Sequence, residues 1–273
     1  MEKNEFKHFN MKNFQNKKVV ISGGGSGIGN AIINELYHKG TRDFAVIGRN
    51  VDKLKRLEND FPEAIFLLFQ GDISKPNSIH EFVNVISNSW NTVDVLINNA
   101  GVVSAGSLES ISDDDIVAQI NINVTGLILL TKHVLPLLKM SKEAAIVNVS
   151  SGLGLIGMPF YASYSATKGG VRLFSEAIRR ELKDFPIQVI TVYPTVTATP
   201  MMESAKTDAM DTPDLVAQQT IEGLQNNKID VILGGDQRLE DVKKNINDPK
   251  EFDKKAATMY EALLERTSNH RSM

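Results

Sequence analysis

One short segment restricts the fold more than any other: Ser22-Gly23-Gly24-Gly25-Ser26-Gly27-Ile28-Gly29, set between an apolar run (Val19, Val20, Ile21) and a helical pattern of Ile28, Ile32, Ile33 and Leu36. Strand, glycine turn and helix in that order form the context of a dinucleotide site. The glycines have separate tasks: positive φ in the turn, room for a pyrophosphate against the backbone, and close packing of helix on strand. The anion then rests on the unpaired N–H groups of the helix start.

Apolar, strand-like runs at 18–22, 44–48, 64–69, 93–98, 144–150, 187–193 and 229–233 alternate with helical stretches. Such alternation specifies a parallel sheet with helices on both faces. Right-handed crossovers and the initial glycine turn favour the doubly wound Rossmann arrangement, so the expected class is α/β with a mostly parallel seven-stranded sheet. No repeat or low-complexity linker interrupts the chain. A single dinucleotide-binding catalytic domain is expected over 17–235, after a polar extension at 1–16 and before a charged, helical extension at 236–273. In that last part Phe252, Ala256, Met259, Tyr260 and Leu263 form a stripe that predicts a helix packed on the body of the chain, with a partner-binding helix as the alternative. Ser112 followed by Asp113, Asp114 and Asp115 predicts an N-cap opening one long helix through about Met140. That helix is apolar over more of its circumference than one buried face requires, which points to a subunit interface, in a homodimer or homotetramer.

Thirty basic residues against 33 acidic ones leave a formal net charge of −3, so no overall field draws in nucleic acid or an anionic membrane. The chain has no cysteine, which excludes disulfides, thiolate zinc sites and a cysteine nucleophile. His8, His38, His80, His133 and His270 show no metal-ligand spacing, and no metal is expected. A charged N-terminus and the lack of an uninterrupted apolar run of membrane-spanning length point to a cytoplasmic protein.

A second segment carries chemistry. Ser151, Tyr164 and Lys168 supply a hydrogen-bond donor, a titratable phenol and a cation. If the segment is helical, Tyr164 and Lys168 share a face. A phenol with a reference pKa of about 10 is a weak acid near neutrality. A fixed ammonium beside it favours the phenolate and is expected to lower that value, making Tyr164 a general acid/base.

These motifs, with Asp72-Ile73, Asn98-Asn99-Ala100-Gly101 and Asn123-Val124-Thr125-Gly126 between them in order, resemble the short-chain dehydrogenases/reductases from about Met11 to about Gly235. The resemblance implies a tetrad of Asn123, Ser151, Tyr164 and Lys168. It places the serine thirteen residues before the tyrosine, which selects Ser151 over Ser150. It implies cofactor contacts from Ser22, Gly23, Gly25, Ser26, Gly27, Ile28 and Gly29, from Arg49, from Asp72 and Ile73 near the adenine, from Asn99, Ala100 and Gly101, from Tyr164 and Lys168, and from Pro194, Thr197 and Thr199. Asn98 ties the central strand near the cofactor, and Thr199 touches the nicotinamide amide. In the implied reaction Ser151 holds the carbonyl and Tyr164 exchanges the proton, while Lys168 lowers the Tyr164 pKa and grips the ribose. Two features depart from the pattern: Pro194-Thr195 stands where Pro-Gly is usual, and the extension after Gly235 replaces a short ending.

Charge bears on the cofactor. The second strand ends in Gly48-Arg49-Asn50, without the acid that accepts ribose hydroxyls in an NAD site and with an arginine suited to a 2′-phosphate. NADP is expected, with Arg49 clamping the 2′-phosphate; the counter-reading leaves Arg49 a solvated loop residue and NAD possible. Leu153, Leu155, Ile156, Met158, Phe160, Tyr161, Met201 and Met202 suggest an apolar carbonyl or alcohol substrate, a core role being the alternative. The competing functions are a catalytically silent nucleotide sensor and an epimerase or dehydratase using bound nicotinamide.

Overall fold

The computed structural model describes residues 11–205, 207 and 210–273. The elements run β1 (Lys18–Ser22), α1 (Gly27–His38), β2 (Asp43–Gly48), α2 (Val51–Asp60), β3 (Ile65–Gln70), α3 (Pro76–Ser89), β4 (Val95–Asn98), β5 (Val103–Ser104), α4 (Asp113–Ile120), α5 (Leu127–Lys139), β6 (Ala144–Val149), α6 (Ala162–Glu181), β7 (Ile187–Tyr193), α7 (Pro213–Gln225) and β8 (Asp230–Ile232). The C-terminal part adds α8 (Gly235–Asn247), α9 (Pro249–Thr258), α10 (Tyr260–Thr267) and β9 (Arg271–Ser272). All seven apolar runs are strands. They pair in parallel in the order β3-β2-β1-β4-β6-β7-β8.

Alternation along each strand divides the core between the two faces. Val19 and Ile21 of β1, Phe44 and Val46 of β2, and Val95 and Ile97 of β4 pack with residues of α1, α2 and α7. Val20, Ala45, Ile47 and Leu96 face the other way, towards α3, α5 and α6. Met11 and Phe14, within the segment expected as a polar extension, are buried in the first of these clusters. Residues 1–10, His8 among them, lie outside the described residues. The strand order reverses between β1 and β4. In doubly wound sheets that reversal, at the carboxyl ends of the strands, is where a ligand crevice opens.

The helix expected from Ser112 to Met140 is not a single α-helix. Ser112 caps it as expected, its hydroxyl accepting from the Asp115 N–H at 3.2 Å. Between α4 and α5, however, Asn121–Gly126 widen into a π-turn. A π-turn shifts the helical phase, but this stretch is apolar around most of its circumference, so the shift leaves no mark in the sequence pattern. By length and composition Asp113–Lys139 could cross a membrane. Here it is a core helix, with Leu130, Val134 and Leu138 fully buried.

Candidate active site

The glycine turn is built as the sequence requires. Gly23 and Gly27 take φ of +72° and +55°, conformations that side chains resist. A Cβ on Gly29 would lie 2.4 Å from the Gly23 carbonyl oxygen and 2.5 Å from Asn99 Nδ2. Asn99 in turn donates to the carbonyls of Gly23 (2.9 Å) and Ser22 (3.3 Å). The Ser22 hydroxyl accepts from the N–H groups of Asn99 and Ala100, each at 3.2 Å. Ser22 and Gly29 therefore lie behind the crevice and lock the ends of β1 and β4 together, rather than lining it as the resemblance implied. Gly23, Gly25, Ser26, Gly27 and Ile28 do line it, beside the first N–H groups of α1, which have no intrahelical acceptor. Bare backbone and free donors at a helix start fit a dinucleotide pyrophosphate.

A cleft of about 760 Å³ runs from this turn to Tyr164. Arg49, Asp72 and Ile73 stand along its glycine-turn half, and Asn99, Ala100 and Gly101 along its floor. Lys53 lines the cleft beside Arg49 and was missed in the sequence, where it reads as an exposed helix lysine. Asn50 caps α2 by accepting from the Lys53 N–H at 2.9 Å, which fixes the turn carrying both cations. Arg49 follows the last residue of β2, and Asp43 is its first, which puts Asp43 at the opposite end of that strand.

At the other half stand Ser151, Tyr164 and Lys168. Tyr164 and Lys168 share one face of α6, as expected from their spacing, and both are buried. The expected effect of one on the other is not found. Burial, the largest influence, holds the Tyr164 phenol well above its ordinary value, against a smaller lowering by its hydrogen bond with Ser151. Burial also pulls the Lys168 ammonium down to about 8. Removing both from water disfavours both charged forms. Ser150 also borders the cleft, but its hydroxyl is engaged, donating to the Lys168 carbonyl at 2.9 Å.

Asn123 sits inside the π-turn and does not line the cleft. Its Oδ1 accepts from the Val102 N–H at 2.8 Å, while Nδ2 donates to the Val102 carbonyl (2.9 Å) and to Thr167 Oγ1 (3.1 Å). A Cβ on Gly101 would stand 3.4 Å from Asn123 Oδ1 and 3.5 Å from Lys168 Nζ, so only a bare glycine backbone separates the two. Beneath them Asn98 donates to Asn148 Oδ1 (2.8 Å) and Thr131 Oγ1 (2.9 Å), tying β4 to β6 and α5.

Pro194, Thr197 and Thr199 also reach the cleft. Thr199 packs on the glycine turn, its Cγ2 3.0 Å from where a Cβ of Gly27 would be. Thr195, in the place of the usual glycine, keeps a negative φ and hydrogen-bonds Asp211. Asp211 also bonds the backbone of Val196 and Ala198, so the loop is held from the side.

The C-terminal extension closes this end. Leu263 and Met259 join Tyr161, Tyr164, Val103, Met158 and Met201 in a separate apolar cluster. Phe252, Met259 and Leu263 of the stripe thus pack on the same chain, but the expected single helix is split into α9 and α10, and Tyr260 is exposed. Leu153 and Phe160 belong to the same cluster, whereas Leu155 does not. β9 pairs antiparallel with β5, and Arg271 forks onto Asp115 with bonds of 2.8 and 2.9 Å. His270 joins Tyr161 (3.1 Å) to the Met201 carbonyl (3.2 Å). A carbonyl only accepts, so the neutral ring carries its proton on Nε2 and accepts the Tyr161 hydroxyl at Nδ1.

Comparison with known proteins agrees with this geometry. The short chain dehydrogenase family model matches residues 17–210. A 3-ketodihydrosphingosine reductase of Mus musculus is 28% identical over 237 residues, covering 80% of this chain and 71% of the mouse protein. Among solved structures, a short chain dehydrogenase/reductase from Burkholderia phymatum in complex with NAD superposes with a TM-score of 0.79 at 21% identity, covering 88% of this chain and 96% of that one. One from Burkholderia cenocepacia in complex with NADP also gives 0.79, at 22% identity, covering 89% and 98%. The chain belongs to the short-chain dehydrogenase/reductase family of NAD(P)-dependent oxidoreductases.

Proposed function

We propose that this protein reduces a carbonyl, or oxidises the matching secondary alcohol, with NADP(H). The carrying observation is that Ser151, Tyr164 and Lys168 converge in one cleft continuous with the glycine turn. When bound, the nicotinamide supplies or takes the hydride. Ser151 orients the carbonyl oxygen, and Tyr164 is placed to donate its phenolic proton to that oxygen as negative charge develops. Lys168, whose ammonium donates to the Val149 carbonyl at 3.0 Å, is positioned to grip ribose hydroxyls. Asn123 supports this group from behind by fixing Val102 and Thr167.

Arg49 and Lys53 together favour NADP, because a 2′-phosphate gains from two cations where a ribose diol gains little. The apolar cluster around Tyr164 favours a substrate with an apolar body. A homodimer is supported by exposed Val117 and Ile120 on α4 beside exposed Leu173 on α6. Light scattering that finds only monomer at micromolar concentration would remove that part.

The test is a screen of ketones, aldehydes and alcohols that follows nicotinamide absorbance with both cofactors. Turnover with NADPH is expected. Cofactor binding without turnover on any compound would favour a sensor, and retained cofactor without net oxidation would favour an epimerase.

A further inference from the structure

Two guanidinium groups from the C-terminal extension enter the substrate half of the cleft, neither in a direct ion pair with a carboxylate among the described residues. Arg266, on α10, lines the cleft, and its Nε is buried with no hydrogen-bond partner. Burial, the largest influence, holds the Tyr161 phenol above its usual value, against a lowering by the charge of the Arg266 guanidinium and by a hydrogen bond given through a nitrogen other than Nε. Arg238, on α8, lies over the residue that follows Ser151: its Nη1 would be 2.9 Å from a Cβ on Gly152. Among the described residues no carboxylate oxygen comes within 4.0 Å of either guanidinium. Asp241, the acid that borders this half, is bonded to Lys255 and Gln237, and the Arg238 charge reaches it more weakly, so Arg266 is the less compensated of the two cations.

A buried guanidinium nitrogen left without a partner is costly, and a ligand oxygen relieves that cost. Arginine presents paired N–H groups that match a carboxylate or phosphate. Leu263 and Met259, on the same extension, supply the apolar wall beside it.

We propose that the substrate is amphipathic and anionic: a carbonyl or hydroxyl at Ser151 and Tyr164, an apolar body against Leu263 and Met259, and a carboxylate or phosphate docked on Arg266 with Arg238 as second cation. This rests on the dehydrogenase reading and narrows its substrate class. The extension would thereby determine specificity, and the dinucleotide groove would remain independent of it.

The test compares matched pairs of ketones with and without the anion: levulinate against methyl levulinate, and hydroxyacetone phosphate against hydroxyacetone. In at least one pair the anionic member is expected to have a kcat/KM higher by about tenfold to a hundredfold, the range of one charge-assisted hydrogen bond. Whichever pair discriminates identifies carboxylate or phosphate. The preference should lie in KM, shrink in Arg266→Met and return in part in Arg266→Lys. If Arg266→Met does not fold by circular dichroism, Arg238→Met takes its place and a smaller loss of preference is expected. Calorimetric titration of the same anions into Tyr164→Phe loaded with NADP reads docking where turnover is absent. Turnover of the uncharged ketones with no preference for either anion would overturn this proposal and leave the dehydrogenase reading standing. A preference that survives in the Arg266 and Arg238 variants would overturn it as well. Saturable binding of an anion to Tyr164→Phe, lost in the Tyr164→Phe, Arg266→Met double variant, would support it even if no ketone reacted.

Discussion

The Lys168 ammonium lies 5.7 Å from the centre of the Tyr164 ring and gives its hydrogen bond to the carbonyl of Val149. The two side chains meet as an ammonium over an aromatic face, while the hydrogen bonds of each go elsewhere. The proton on Tyr164 is consequently governed by burial and by Ser151, and the phenol is ready to donate.

Tyr164→Phe removes that proton and nothing from the glycine turn. Turnover should fall by about 10²–10⁴-fold, the usual contribution of a general acid, while NADPH affinity changes little. Steady-state kinetics with fluorescence titration of the cofactor checks both, and full activity in Tyr164→Phe would remove the residue from the mechanism.

Lys168 should leave a signature in the pH dependence of stability. Unfolded, it keeps its proton to about pH 10.4. Folded and free of ligand, it releases it near about 8. Between those values the unfolded chain holds more protons, so this group's contribution to stability rises with pH. Urea unfolding across the alkaline range should show that rise in the wild type and lose it in Lys168→Met. An identical slope in both would refute the assignment.

Arg49 and Lys53 should set cofactor preference. Replacing both by alanine is expected to weaken NADPH binding by about tenfold or more, with NADH nearly unaffected. Dissociation constants for the two cofactors decide the matter, and tighter NADH binding by the wild type would contradict it.

How much of this was readable beforehand follows the range of the interaction involved. The seven strands and the pairing of Tyr164 with Lys168 on one helix face are local patterns, and period two and period 3.6 express them directly. The π-turn at Asn123 was hidden because apolar residues on nearly every face of that helix mask the shift in phase. The charge states were misjudged because spacing shows which groups are near each other and not how much water reaches them. Lys53, Arg238, Arg266 and His270 look like ordinary solvated residues of polar helices and a tail. Their roles exist only once distant segments meet.

The ion pair between Asp115 and Arg271 gives a further acid-sensitive prediction. The guanidinium of Arg271, with help from Ser104, holds the Asp115 carboxyl below the usual carboxylate range. Its stabilisation is present above the unfolded value of about 3.9 and is lost as pH falls through the lower folded value. Asp115→Asn should therefore melt earlier than the wild type at neutral pH, with the gap closing in strong acid. A gap that is constant with pH would show that the pair contributes nothing as a charge.

That same fork joins residues 156 positions apart. Contacts between such distant parts of a chain form late, since the intervening polypeptide must be ordered first. During synthesis the nucleotide groove has all its residues while the roof of the neighbouring chamber is still unmade. A nascent molecule is thus equipped to hold its coenzyme well before it can choose among reactants.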